Sequence, residues 1–202
     1  MIGNWELYGL DNAALDRELS LANMDASIVL CEQMVAGRLP KTFSHAKTIM
    51  SLCYHGVELF LKYAIRRKRG GEAPATHYLR KLERLYSDLY PSQRFSLEVP
   101  FIPAYLECTS EELQEYLTEE AKKPSEADQM LRYHMNQSGR QWDGAHGFEA
   151  EGYLTHLHAL RARLAEIAMG IEKESAPCPA PQCPPSAGQP ATDCTPDVEV
   201  ST

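Results

Sequence analysis

Apolar residues recur at three- and four-residue intervals along most of this chain, and the pattern breaks at glycine and proline. Leu15, Leu19, Ala22, Ala26, Val29, Leu30 and Met34 follow a candidate N-cap at Asp11, and Gly37 and Pro40 stop them, which predicts a first helix. Thr42 or Ser44 opens a second, whose core face reads Ala46, Ile49, Met50, Cys53, Val57, Phe60, Leu61 and Ala64. A stripe that wide suits a bundle interior. After Arg69, Gly70-Gly71 supplies a left-handed helix end. Thr76 then caps a predicted third helix, with Leu79, Leu82, Leu85 and Leu89 on one side and Pro91 as its stop.

The middle of the chain is less regular. Residues 92–106 carry two prolines among alternating apolar residues and read as an extended crossover on the bundle. Thr109-x-x-Glu112 forms a capping box that opens an acidic helix, which Pro124 ends or resets. Ser125-x-x-Asp128 starts a short helix towards Leu131, and Tyr133 and Met135 alternate before a Ser138-Gly139 turn, as in a small two-stranded ribbon. A final helix runs from about Phe148 to Lys173, striped by Tyr153, Leu157, Leu160, Leu164, Ile167, Ala168 and Ile171. From Glu174 onward the chain holds seven of its 13 prolines and almost no large apolar residue. Such a segment buries too little surface to offset its ordering entropy. The expectation is one all-α domain over 1–173, an up-down helical bundle with a small irregular or hairpin insertion, and a disordered Pro-rich tail over 174–202.

Charge sharpens one part of this picture. The chain has a formal net charge of −8, yet residues 62–84 hold eight basic residues against Glu72 and Glu83. A local basic surface on an acidic protein can dock a polyanion. Arg66, Arg67, Lys68 and Arg69 equally suit a helix C-terminus, where cations complement the macrodipole. Both readings stand at this point. No signal-peptide pattern or membrane-length apolar run is present, and the six scattered cysteines do not form a disulfide framework, so a cytoplasmic location is expected.

The run Gly56-Val57-Glu58-Leu59-Phe60-Leu61-Lys62-Tyr63-Ala64-Ile65, a basic glycine-containing break, and then Thr76-His77-Tyr78-Leu79-x-x-Leu82 resembles the HEPN domain family. In that family the long helix carries a Glu with a Lys four residues on, and the next helix opens with a Thr-His-x-Leu-type motif. Leu131-Arg132-Tyr133 before a loop and a last long helix also resembles the family. The resemblance covers most of residues 11–173. It implies an up-down bundle, commonly dimeric, in RNA-cleaving toxins and defence proteins, partners of small nucleotidyltransferases, and inactive binding domains.

The family's ribonucleases use an Arg-x4–6-His motif, in which a cation holds the scissile phosphate and an imidazole serves the attacking 2′-hydroxyl. Arg140-x5-His146 has that spacing but lies in a glycine-flanked polar loop, while Arg132 matches the Arg-Tyr form and lacks the His at the required distance. A turn anchored by Trp142 accounts for Arg140 and His146 as well. His55, Glu58 and Lys62 share one helix face, with Ser51 a turn earlier. They line a cleft in the functional reading and make an i,i+4 ion pair in the structural one. His77 either caps its helix or packs on the preceding one. His156 and His158 point apart, and Cys178-x4-Cys183 lacks further ligands, so no metal or cofactor is expected. No P-loop, dinucleotide-binding glycine pattern, zinc-protease motif or nucleophile elbow appears.

The sequence therefore leads to a non-catalytic module that binds RNA, a nucleotide or a partner through Glu58, Lys62, Arg66, Arg67, Lys68, Arg69 and His77. A homodimer, with a possible nucleotidyltransferase partner and a toxin–antitoxin or defence setting, accompanies that expectation. The alternatives are a metal-independent endoribonuclease using Arg140 and His146 or Arg132 with His134, and a structural helical adaptor whose disordered tail recruits a partner.

Overall fold

The computed structural model describes residues 3–97 and 148–175. These form four α-helices, α1 (Asn12–Val35), α2 (Phe43–Arg69), α3 (Leu79–Leu89) and α4 (Ala150–Ser175), with 3-10 turns at Asn4–Leu7 and Gln93–Phe95. No strand occurs among the described residues. The acidic helix expected after Thr109, the ribbon at Ser138-Gly139, and Arg132, Arg140 and His146 lie outside them, as does the chain beyond 175. Helix α4 continues through Ser175, so the expected boundary at 174 falls inside its last turn.

Three of the four helix starts follow from a local acceptor. Asp11 accepts a hydrogen bond from the Ala14 backbone N–H at 2.7 Å, and Thr42 accepts one from that of His45 at 3.4 Å. Glu149 accepts from the N–H groups of Glu151 and Gly152 at the head of α4. Gly70, at φ 69°, closes α2 in the left-handed conformation expected of it. The third helix departs from expectation. Thr76 spends its hydroxyl on the N–H of Tyr78 two residues on, so the helix begins at Leu79 behind Tyr78, whose side chain caps nothing.

Helix α2 is the axis of the fold, and every position of its predicted core face is buried. Tyr54, Gly56, Glu58, Tyr63 and Ile65 are buried as well, because neighbours cover it on more than one side. Helix α1 packs on it antiparallel, with Ser20 Oγ donating to Gly56 O at 2.7 Å and Ser27 Oγ donating to Ile49 O at 2.9 Å. The predicted stripe of α1 is therefore displaced. Leu19 and Val29 are exposed, and the buried face is Ala13, Ser20, Met24, Ser27, Ile28, Cys31 and Met34. Small side chains let the two backbones approach. A Cβ on Gly56 would stand 3.1 Å from both Met24 and the Ser20 carbonyl.

Helix α4 completes the core with Leu157, Leu160, Leu164, Ile167, Ala168 and Ile171. It runs antiparallel to α1, since Arg161 meets Asp25 and His158 meets Glu32. Residues 70–78 carry the chain back along α2. His77 thus lies against Glu58 at one end, while the Tyr90 hydroxyl donates to Ala64 O at 2.9 Å near the other. Tyr86, Tyr90 and Phe95 stack in sequence, with ring centroids 5.1 and 5.2 Å apart, and pin α3 and the following turn to the core.

Candidate functional site

One carboxylate organises the junction of α2 with the segment leading into α3. Glu58 is only 1% exposed, and its Oε1 sits 2.8 Å from Lys62 Nζ and 2.7 Å from His77 Nδ1. Its Oε2 faces His55 Nδ1 at 3.6 Å. Helical spacing supplies two of these neighbours, at i−3 and i+4 on α2. His77 arrives by the return of residues 70–78. Burying a carboxylate costs free energy unless charge and hydrogen bonds compensate it, and here an ammonium and an imidazole N–H do so.

The shorter of two contacts to His77 Nδ1 is the one to the carboxylate, at 2.7 Å against 3.3 Å to Lys62 Nζ. A 2.7 Å contact with a carboxylate requires a proton on Nδ1, which donates to Oε1. Lys62 Nζ, 3.3 Å from that nitrogen, is then a neighbouring donor and not a partner to it. In the neutral ring the unprotonated nitrogen is Nε2, on the far side from Glu58. The His77 side chain is 65% exposed. His55 is 45% exposed and Lys62 is 13% exposed, so the buried anion carries a polar, partly open rim.

The basic run behaves differently from an open docking patch. Arg66 donates to Asp16 on α1 at 2.8 Å and to the Gly71 carbonyl at 3.0 Å. Arg67 reaches Asp11 at 2.8 Å and Glu172 on α4 at 3.2 Å. Lys68 lies 5.4 Å from the Tyr90 ring centroid, while Arg69 is exposed. The first two thus clamp α2 to its neighbours. On α3, Arg80, Lys81 and Arg84 are exposed and form no ion pair among the described residues; Lys81 instead lies over the Tyr78 ring at 5.1 Å. The polyanion-accessible charge accordingly shifts from Arg66 and Arg67 towards Arg69 and the outer face of α3. Sequence alone gave no sign of Asp11, Asp16 and Glu172 as partners, because all three are far away along the chain.

Comparison with known proteins adds no name to this geometry. No family model, curated protein or solved structure matches the chain.

The other reactive groups are locked away. Burial pushes the Cys31 thiol up to about 11 and the Cys53 thiol up to about 12, so neither supplies a thiolate nucleophile at neutral pH. Burial, with Glu172 beside it, raises Tyr63, whose hydroxyl donates to Glu172 at 3.0 Å. Among the described residues no group of three or more His, Cys, Asp or Glu side chains could hold a metal ion. None of the described helices is long and apolar enough to cross a membrane. A cavity of about 330 Å³ lies between the Gln93–Phe95 turn and α4, lined by Arg94, Phe95, Glu166, Ile167, Met169, Gly170 and Lys173.

Proposed function

We propose that this chain is a HEPN-like helical module that binds the phosphates of RNA or a nucleotide at the junction of α2 and α3. The observation that carries the reading is the exposed His77 imidazole held by buried Glu58, immediately before the exposed cations Arg80, Lys81 and Arg84. A fully buried carboxylate with a mixed cationic rim is a costly arrangement for a helix surface, and such arrangements concentrate at functional sites. Clustered exposed cations attract a polyanion whatever the net charge of the whole chain. The resemblance of Glu58, Lys62 and Thr76-His77 to the family motifs supports the same placement. It also supports a homodimer, with a nucleotidyltransferase as candidate partner, in a toxin–antitoxin or defence setting.

Anisotropy titration with labelled single-stranded RNA over a salt series tests the binding. Replacing Arg80, Lys81 and Arg84 by Ala should weaken binding and flatten the salt dependence by roughly 0.7 log unit per lost phosphate contact. Unchanged affinity and slope would remove the proposal. Sedimentation tests the dimer separately: a species of monomer mass at all concentrations would exclude it.

A further inference from the structure

We propose that the cavity between the Gln93–Phe95 turn and α4 is a binding site for a small amphipathic carboxylate, an apolar chain or ring ending in one acid group. The site is separate from the phosphate-binding junction. Phe95 stacks on Tyr90 just past the C-terminal end of α3, whereas His77 precedes its first residue. The space is about 330 Å³, at the small end of the range in which proteins hold organic ligands. Its floor is apolar, made by the buried side chains of Phe95 and Ile167. Met169 stands at the rim with 59% of its surface in water, where the apolar part of a ligand would cover it.

Charge decides which end group the cavity takes. Arg94 and Lys173 both line it and are exposed, and Lys173 forms no ion pair among the described residues. Glu166 also lines it, but its carboxylate is already bound by Arg163 at 2.7 Å. Arg94 carries a carboxylate even now, since its Nη2 meets Glu174 Oε1 at 3.3 Å. An exposed pair of that kind is held weakly, and the guanidinium fork matches any carboxylate that replaces Glu174. The turn is braced in advance of a ligand. Arg163 donates to the Arg94 carbonyl at 2.7 Å, the Tyr86 hydroxyl donates to the Phe95 carbonyl, and Ser92 Oγ accepts from the Arg94 N–H at 3.3 Å. Gly170 completes the shape. A Cβ there would stand 3.1 Å from the Phe95 ring and 3.3 Å from Arg94 Nη2, so the bare helix surface is what lets both lie against α4.

The experiment follows amide chemical shifts of the full chain during titration with octanoate. Octylammonium and acetate serve as probes that carry the apolar chain without the anion and the anion without the chain. Octanoate should give saturable shifts at residues 94–96 and 166–173, and neither of the other probes should do so at the same concentrations. Arg94→Gln and Lys173→Gln alter exposed side chains and should keep the helical circular dichroism. Each should weaken octanoate about tenfold, as expected for loss of a hydrogen bond to a charged group. Glu174→Gln should tighten it, because the internal competitor for Arg94 is gone. Replacing Arg80, Lys81 and Arg84 by Ala should leave octanoate affinity where it was. Equal binding of octylammonium overturns the assignment, as does an octanoate affinity unmoved when Arg94→Gln and Lys173→Gln are combined. Absence of saturable shifts around the cavity does the same, and none of these failures touches the phosphate-binding reading.

Discussion

Ser20, Ser27 and Gly56 settle how closely two helices approach, and none of them is strongly apolar. Each serine donates to a carbonyl of α2, which satisfies a hydroxyl that would otherwise be buried at a cost. Gly56→Ala would gain helix propensity but press a methyl against Met24 and the Ser20 carbonyl, both 3.1 Å from the new atom. The methionine can bend aside and the backbone cannot. Chemical denaturation should therefore show a net loss on the order of 1 kcal/mol, overpacking outweighing propensity. Asp11 makes a pH prediction. The Ala14 N–H, opposed by burial and helped by Arg67, holds its carboxyl below the ordinary 3.8. A lowered folded-state value stabilises the protein above the unfolded pKa, and that contribution disappears as pH falls through the folded one. Asp11→Ala should thus lose stability at neutral pH, by about 0.5–2 kcal/mol as a lost cap. Its acid-unfolding curve should converge on wild type once pH falls below the lowered folded-state value.

Among the elements, α3 is the one begun least securely. Tyr78 stands at its N-cap with φ −76° and ψ 111°, an extended conformation that Asp or Ser adopts readily, yet it offers no acceptor. Tyr78→Asp should stabilise α3 by about 1 kcal/mol, read as slower amide exchange in residues 79–89. A fall in protection would refute this. The contrast with α2 shows what sequence can and cannot carry. The α2 core face from Ala46 to Ala64 was legible because strong apolar residues repeat along a helix surrounded by neighbours. The face of α1 was misjudged because periodicity ranks residues by apolarity, placing Leu19 and Val29 inward. The packing partner selects for small size, and Ser20 and Ser27 acquire carbonyl acceptors only once α2 is alongside. The third helix moved for a local reason, as Thr76 bonds two residues ahead. At the site, Glu58 and Lys62 were legible from i,i+4 spacing. The placing of His77 against them depends on a nine-residue return that no periodicity encodes.

At the scale of the molecule, Glu172 ties the helices together. It accepts from the Tyr63 hydroxyl at 3.0 Å and from Arg67 at 3.2 Å, with Arg17 of α1 at 3.9 Å. Exposed ion pairs contribute little singly, but loss of this acceptor also strips a buried phenol of one partner, leaving the Ala168 carbonyl at 3.3 Å. Glu172→Ala should cost about 1–2 kcal/mol, and Glu172→Gln should recover part of it by still accepting from Tyr63. Equal losses in the two variants would assign the effect to charge. The encasement of α2 also has a bearing on how this protein can change over time. Between Ile49 and Ile65 most positions of that helix are buried against neighbours, whereas Ser51, Leu52, His55, Leu59 and Lys62 are incompletely covered. A library of random variants selected only for folding should therefore tolerate exchange in this stretch of α2 chiefly at those positions. Selection for binding should then restrict Lys62 again, so that the difference between the two tolerance maps outlines the working surface without any knowledge of the ligand.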